Sequence, residues 1–210
     1  MFVKSVMVKR EKCYTVKLED SVQVGFDLLE KHTIDALPVV DGSEYKGIFT
    51  WYHAYRAFFY SGKSKEEFIS STKVSDVIVN QEIYLTINDV YEKALVELND
   101  FPIIAVVDKG QFLGIVTRFD IVNQLQSAFG IDKPGYRITF TSVESEGRIG
   151  RLGEIIEKYK ESVISLVTFD ETNKMVRRIV LKVEKKDNID RFVKELEKSG
   201  FRVLDIAEDK

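Results

Sequence analysis

The chain has 210 residues, of which 44% are hydrophobic and 31% charged, as is typical of a protein that folds around an apolar core. Its formal net charge of −3 argues against nucleic-acid binding driven by general basicity. The single cysteine, Cys13, excludes an intramolecular disulfide, and no apolar run has the length of a membrane span or of a signal peptide's core, so the sequence predicts a cytoplasmic protein.

The first 60 residues show the pattern of a strand, a helix and a pair of strands followed by a second helix. Tyr14–Val16 alternates as a strand does, and either Asp20 or Ser21 is placed to cap the helix that follows. The continuous apolar run 37–40 is typical of a strand buried on both faces, and residues 45–50 predict its return strand.

Residues 51–60 predict a helix that is rich in aromatic side chains. One interpretation is that these rings pack against the second half of the chain or against a second copy, because aromatic residues are enriched at interfaces. The other is that Trp51 or Tyr52 stacks on the base of a ligand. The aromatic residues are Trp51, Tyr52, Tyr55, Phe58, Phe59 and Tyr60.

Residues 61–67 are polar and predict that 61–72 is a flexible linker, after which the same order of elements begins again in residues 73–130. The second copy contains a predicted strand over 83–85 and a helix capped by Asn88 or Asp89. A constant spacing between matching residues identifies the two segments as an internal repeat. The differences Val106 minus Val39, Asp108 minus Asp41, Gly114 minus Gly47 and Thr117 minus Thr50 are all 67.

The repeat is centred on residues 114–120, with the sequence GIVTRFD, and on their counterparts 47–53, with the sequence GIFTWYH. These segments and the order of elements around them resemble the paired cystathionine-β-synthase-type (CBS) domains that form a Bateman module. The resemblance implies two β-α-β-β-α units, over 1–60 and 73–130, which pack as a pair. It further implies that adenosine-type ligands bind in the clefts between the two units.

In this family pattern a threonine ends a strand, and an acidic residue follows three positions later in the first turn of a helix. Free backbone amides and the helix dipole favour a phosphate there, and a carboxylate can accept hydrogen bonds from a ribose diol. The resemblance therefore assigns the phosphate to Thr117 and Arg118, and the ribose to Asp120. The alternative is that Thr117 and Asp120 only cap the helix that they begin.

By the same resemblance, Tyr14 and Ile34 of the first copy line the slot for the base. The opposite cleft would use Thr50, Ile83 and Phe101, with His53 in the place of the aspartate. A neutral imidazole offers one acceptor nitrogen where a carboxylate offers two oxygens, so this second nucleotide site is expected to be weaker. Two histidines and one cysteine are a poor set of soft ligands, and no metal site is predicted.

Residues 135–210 follow a turn cluster and predict the order β-α-β-β-α-β, the ferredoxin-like plan. The turn at Gly147, Arg148 and Ile149 resembles the ligand turn of an ACT domain, a small-molecule-sensing module of this fold. The alternative is a dimerisation domain whose turn binds no ligand. The predicted strands are 136–143, 163–169, 175–183 and 201–206, and the predicted helices are 151–161 and 188–199.

A CBS pair followed by an ACT-like domain resembles the AcuB-type proteins associated with acetoin utilisation. The resemblance implies a non-catalytic regulatory protein that senses AMP, ADP, ATP or S-adenosylmethionine and acts through the ACT-like domain or a partner protein. No catalytic triad, nucleophile elbow or Walker A loop is present in the sequence, so no enzymatic activity and no catalytic cofactor are predicted. The alternative is a structural or partner-binding module with vestigial clefts. A homodimer is predicted, and neither nucleic acid nor a membrane is expected as a partner.

Overall fold

The computed structural model describes residues 2–143, 146–170 and 176–209. The chain divides into two compact units, Met1–Val122 and Asn123–Lys210. The first unit contains a six-stranded sheet and the second a four-stranded sheet, in agreement with the predicted α+β class. The division falls within a helix and not at the turn cluster near residue 134 that the sequence indicated.

The first unit repeats one order of elements, in which a helix precedes a β-hairpin and a second helix follows it. A helix begins directly after each hairpin, at Trp51 in the first copy and at Arg118 in the second. The elements are β1 (Val8–Lys9), α1 (Val22–His32), β2 (Ala36–Asp41), β3 (Glu44–Thr50), α2 (Trp51–Ser61), α3 (Lys65–Ser71), β4 (Tyr84–Leu85), α4 (Glu92–Glu97), β5 (Ile103–Asp108), β6 (Gln111–Thr117) and α5 (Arg118–Phe129).

The two hairpins have the same register, which confirms that the sequence repeat is a structural repeat. Val39 pairs with Gly47 in the first hairpin, and Val106 pairs with Gly114 in the second. A bulge follows each of these pairs. The sheet order is β2-β3-β6-β5-β4, with β1 also paired to β6, and strands β2 and β5 are buried over almost their whole length.

Each hairpin pairs with the leading segment of the other repeat. β1, from the start of the first repeat, pairs with β6, and Val79, from the start of the second, pairs with β3. Glycine makes both contacts possible. A Cβ atom on Gly114 would lie 2.1 Å from the carbonyl oxygen of Val8, and a Cβ atom on Gly47 would lie 2.9 Å from that of Val79. The two repeats are therefore joined by backbone contacts that a larger residue would prevent.

The strand predicted over Tyr14–Val16 is present only as a single bridge, in which Val16 pairs with Val39. The amide of Val16 donates to Pro38 and its carbonyl accepts from Val40, at 3.1 and 2.9 Å. One such pair is enough to fix the segment against the edge of β2, but it leaves Tyr14 outside the sheet.

The predicted helix caps were wrong in detail. Asp20 accepts a hydrogen bond from the amide of Lys17 at 2.8 Å, and Asp89 accepts one from the amide of Thr86 at 2.7 Å. Both carboxylates therefore close the turn that precedes a helix instead of capping the helix itself. Ser21 occupies the N-cap position of α1, but its side chain makes no capping hydrogen bond.

The predicted linker 61–72 contains a helix, α3, and is not a flexible connection. The hydroxyl of Ser64 accepts a hydrogen bond from the amide of Glu67 at 3.2 Å, which caps the first turn. Phe68 is buried against α1 and α2 in the core of the first repeat. Ser64 followed by Glu67 three residues later is a sequence signal for the start of this helix. It was overlooked because the segment is polar.

The second unit has the β-α-β-β-α-β order that the sequence predicted. Its sheet is antiparallel with the order β10-β7-β9-β8, and helices α6 and α7 cover one face. Gly200, which follows α7, has a φ of 84°, as a left-handed helix end requires. Residue 175 of the predicted strand 175–183 lies outside the described residues. The elements are β7 (Gly135–Val143), α6 (Arg148–Lys158), β8 (Val163–Asp170), β9 (Val176–Val183), α7 (Ile189–Lys198) and β10 (Arg202–Asp209).

The end of α5 is held on the sheet of the second unit by a buried lysine. Lys182 is fully buried on β9, and its ammonium group donates to the carbonyl of Gly130 at 2.8 Å and contacts the carboxylate of Asp209 at 2.5 Å. The hydroxyl of Ser165 donates to the carbonyl of Phe129 at 3.0 Å. A cation at a helix C-terminus is favourable because the free carbonyls carry partial negative charge.

Two glycines inside helices allow a matched comparison between a closely packed position and an open one. A Cβ atom on Gly25 of α1 would lie 2.5 Å from the ring of Phe49, whereas one on Gly153 of α6 has no neighbour within 4 Å. We expect Gly153→Ala to stabilise the protein by about 0.5–1 kcal/mol through helix propensity. Gly25→Ala is expected to destabilise it by about 1–3 kcal/mol through overpacking. Urea unfolding followed by circular dichroism measures both, and equal stabilisation by the two changes would contradict the packing of Gly25.

Candidate functional site

A cleft of about 480 Å³ opens in the first unit between residues of the two repeats. It contains four of the five residues predicted for the stronger nucleotide site: Tyr14 and Ile34 from the first repeat, and Thr117 and Arg118 from the second. We call it the first cleft. Its lining consists of Lys12, Cys13, Tyr14, Thr33, Ile34, Asp35, Ala36, Pro38, Pro102, Ile103, Ile115, Thr117, Arg118 and Phe119.

One wall of the first cleft is apolar and aromatic. The ring of Tyr14 stacks on the ring of His32 with centroids 3.5 Å apart and planes 15° apart, and about half of the tyrosine surface remains exposed. Ile34 lies beside it in the lining. A planar base can be held between such aromatic and aliphatic surfaces.

Thr117 and Asp120 bond to each other at the start of α5. The hydroxyl of Thr117 donates to the carboxylate of Asp120 at 2.7 Å, the amide of Thr117 donates to the same oxygen at 2.9 Å, and the amide of Asp120 donates to the hydroxyl at 3.1 Å. These bonds form the helix cap that the sequence left as the alternative. Asp120, unlike Thr117, does not line the cleft.

Arg118 is held by the preceding helix. Its Nε donates to the carbonyl of Leu98 at 2.7 Å, and its Nη2 donates to the carbonyl of Asn99 at 2.8 Å. The guanidinium group therefore lies at the C-terminal end of α4, where a cation is favoured. Arg118 also lines the first cleft, although two of its nitrogens already donate hydrogen bonds to backbone carbonyls.

A second cleft of about 270 Å³ contains three of the four residues predicted for the weaker site. Thr50, His53 and Phe101 line it, whereas Ile83 does not. Ile83 was placed by analogy with Tyr14, but it precedes the short strand β4 and lies away from this lining. The lining residues are Asp35, Thr50, Trp51, Tyr52, His53, Asp100, Phe101, Pro102 and Arg118, so Asp35, Pro102 and Arg118 line both clefts.

In the second cleft, Thr50 and His53 are the counterparts of Thr117 and Asp120. The Nδ1 of His53 lies 2.8 Å from the hydroxyl of Thr50, and its ring stacks on Phe101 with centroids 5.7 Å apart. Burial, with a smaller contribution from Arg56, lowers the pKa of His53 below its ordinary value. The imidazole is therefore neutral at pH 7, and it adds no positive charge to a cleft that also contains two carboxylates.

The sequence missed several residues that line the first cleft, including Cys13, Asp35 and Phe119. Cys13 and Asp35 directly adjoin the predicted residues Tyr14 and Ile34, so chain proximity was an available signal. Burial raises the pKa of the Cys13 thiol to about 11, and its Sγ lies 3.3 Å from the carbonyl of Lys9. A protonated thiol of this kind behaves as a small apolar group.

The turn that resembles the ligand turn of an ACT domain makes contacts within the second unit. Gly147 has a φ of 80° and is the N-cap residue of α6, while Ile149 is exposed. Arg148 donates to Ser142 at 2.8 Å and to the carbonyl of Gly200 at 2.9 Å, and its guanidinium lies over a phenylalanine ring. A separate cleft of about 390 Å³ in this unit is lined by none of the three predicted residues.

Two kinds of site are absent from residues 2–143, 146–170 and 176–209. No cluster of three or more His, Cys, Asp or Glu side chains is arranged to hold a metal ion. In the same ranges, no helix combines the length and the apolar character needed to cross a bilayer.

Comparisons with known proteins agree with the duplicated architecture. A CBS domain-containing protein of unknown function from Bacillus anthracis is 29% identical, with a TM-score of 0.54 over 60% of this chain and 93% of that one. A hypothetical conserved protein from Geobacillus kaustophilus is 26% identical, with a TM-score of 0.54 over 60% and 96%. The protein CBSX2, solved in complex with AMP, shares the fold at 24% identity and a TM-score of 0.50 over 59% and 95%. A comparison with curated protein sequences found no significant match.

The family assignment follows from the repeats themselves. Residues 3–60 and residues 74–127 each match the CBS domain family, and together these segments make up more than half of the chain. The protein therefore belongs to the CBS domain family, with two CBS domains in tandem.

Proposed function

We propose that the protein is a non-catalytic sensor that binds an adenosyl compound, namely AMP, ADP, ATP or S-adenosylmethionine, in the first cleft. The observation that carries this proposal is the cleft itself, in which both repeats place complementary groups. Tyr14 and Ile34 provide surfaces for the base, and Thr117 lies at the N-terminus of α5, where a phosphate is favoured. The AMP complex of CBSX2, which has the same fold, is consistent with this ligand class.

In the proposed site, the carboxylate of Asp120 binds the ribose. One oxygen of Asp120 accepts bonds from both the hydroxyl and the amide of Thr117. Asp120 does not line the first cleft, whereas Thr117, which is bonded to it, does. In our proposal the hydroxyl of Thr117 turns to donate to the phosphate, and the ribose diol replaces it as a donor to the carboxylate of Asp120. The exchange conserves hydrogen bonds, so binding does not require an unpaired carboxylate.

The second cleft is proposed as a much weaker site for the same ligands. Asp35 and Asp100 line it, and the neutral His53 adds no positive charge. Carboxylates repel a phosphate, and Arg118 alone is left to offset them. We therefore infer one nucleotide per chain.

Helix α5 is the proposed route by which binding reaches the second unit, for which we retain an ACT-like, AcuB-type role as a proposal. The helix begins at Arg118, beside the first cleft, and Phe129 at its end accepts a hydrogen bond from Ser165. If the end of α5 has two arrangements, a ligand can shift the equilibrium between them only as far as it binds the protein more tightly in one arrangement than in the other.

The alternative function is a structural or partner-binding module whose clefts are vestigial. The mutual bonding of Thr117 and Asp120 favours this alternative, because it satisfies both side chains without a ligand. The two functions differ in whether any adenosyl compound binds at the first cleft.

Substitution of Asp120 tests the assignment of the site. We expect calorimetry to find one AMP bound per wild-type chain and an affinity at least tenfold lower for Asp120→Ala, because the ribose loses its acceptor. Asp89→Ala is the matched control, since it removes a similar bond from carboxylate to backbone away from the clefts. Equal affinity in the wild type and Asp120→Ala contradicts the assignment, and absence of binding of AMP, ADP, ATP and S-adenosylmethionine supports the vestigial alternative.

The single cysteine reports on occupancy of the first cleft. Because the thiol has a pKa of about 11, iodoacetamide is expected to alkylate Cys13 slowly at pH 8, with a rate that rises about tenfold per pH unit up to pH 10. Saturating AMP should slow the reaction further, since Cys13 lines the cleft. Intact-protein mass spectrometry measures the rate. A rate at pH 8 equal to that of a cysteine peptide contradicts the burial, and a rate unaffected by AMP contradicts the place of binding.

We also propose that the chain forms a homodimer through the exposed face of α2. Tyr52, Phe59 and Tyr60 are between 65% and 79% exposed on this helix, and exposed aromatic patches commonly mark interfaces. This face favours the interface interpretation of the aromatic helix.

Sedimentation velocity tests the dimer. We expect the wild type to sediment at twice the chain mass of 24.2 kDa and the double variant Tyr52→Ser, Phe59→Ser to sediment as a monomer. Val96→Ser, which alters an exposed apolar residue on α4, is the control and should remain dimeric. A wild-type mass of one chain contradicts the dimer, and a dimeric double variant contradicts this face.

A further inference from the structure

A third cavity, which we call the aromatic groove, lies in the first unit among α1, α2 and α3. Its volume is about 190 Å³. Of its residues only Trp51 also lines the second cleft. The lining residues are Gln23, Phe26, Asp27, Glu30, Trp51, Tyr55, Phe58, Lys65, Phe68 and Ile69.

One side of the groove is a set of three nearly parallel aromatic rings. The ring of Trp51 lies 4.8 Å from that of Phe26 and 5.4 Å from that of Tyr55, with interplanar angles of 14° and 15°. Phe26 and Tyr55 are themselves 5.4 Å apart at 23°. The faces of such rings carry negative electrostatic potential and attract cations.

The rim of the groove carries excess negative charge. Asp27 and Glu30 lie on one face of α1 and are exposed, and Gln23 donates to the carboxylate of Asp27 at 2.5 Å. Lys65 of α3 supplies the one positive charge in the lining, so the described lining has a net charge of −1 (two carboxylates against one ammonium). Aromatic faces together with carboxylates are complementary to a positive ligand.

We propose that the aromatic groove binds a small alkylated ammonium ion. The alkyl groups match the apolar rings, and the charge interacts both with the ring faces and with the carboxylates of Asp27 and Glu30. A drug-sized ligand needs a pocket of about 300–1,000 Å³, so the smaller groove fits a group of the size of trimethylammonium. The proposal is independent of the nucleotide clefts, because neither carboxylate lines them.

The only tryptophan of the chain, Trp51, provides a reporter within the groove. We expect choline chloride to change the tryptophan fluorescence saturably at constant ionic strength. Its uncharged carbon isostere, 3,3-dimethylbutan-1-ol, is expected to bind at least tenfold more weakly because it lacks the charge. Calorimetry with both compounds measures binding independently of any change in fluorescence.

Charge variants locate the interaction. The double variant Asp27→Asn, Glu30→Gln should weaken choline binding at least fivefold, with an unchanged circular dichroism spectrum. Glu66→Gln is the matched control, because this glutamate is exposed on α3 and does not line the groove. The proposal is overturned if choline does not bind in calorimetry, if the neutral isostere binds equally well, or if the double variant binds choline as tightly as the Glu66→Gln protein does.

Discussion

The close approach of backbone to two glycines sets the arrangement of the first unit. The carbonyl oxygen of Val8 approaches Gly114, and that of Val79 approaches Gly47, so closely that neither glycine has room for a Cβ atom. Each repeat therefore completes the hairpin of the other, and neither hairpin is independent of the leading segment that it receives. Because β1 is held on β6, the chain that follows it carries Tyr14 to the cleft that Thr117 lines. The first cleft is a consequence of this exchange, since its two walls come from different repeats.

The duplication does not make the two clefts chemically equal. Both hairpins end in a threonine that begins a helix, but the partner of the threonine is a carboxylate in α5 and a neutral imidazole in α2. The ring of His53 is further committed to a stack on Phe101. A backbone duplicated with the same register thus presents a threonine–carboxylate pair in one copy and a threonine–imidazole pair in the other.

The sequence predicted the features that depend on the pattern of neighbouring residues. It did not predict those that depend on contacts between residues far apart in the chain. The apolar run at 37–40 predicted the buried strand β2, because both faces of this strand meet other parts of the unit. In contrast, the role of Arg118 depends on carbonyls about twenty residues earlier, and no local pattern encodes that contact. Helix α3 was missed because its exposed face is polar, although its capping serine was visible. Ile83 does occupy the position that matches Tyr14, since Leu85 pairs with Val106 as Val16 pairs with Val39, yet it does not line the second cleft.

The buried lysine of the second unit explains why the end of α5 is fixed to that unit. An ammonium group removed from water is costly unless its charge is matched, and Lys182 is matched by Asp209 and by the carbonyl of Gly130. The bond from Lys182, and then that from Arg137, lowers the pKa of Asp209, so the carboxylate stays ionised at neutral pH. Loss of the Gly130 carbonyl would leave one donor of a buried charge without an acceptor. The last turn of α5 is therefore difficult to detach from the sheet of the second unit.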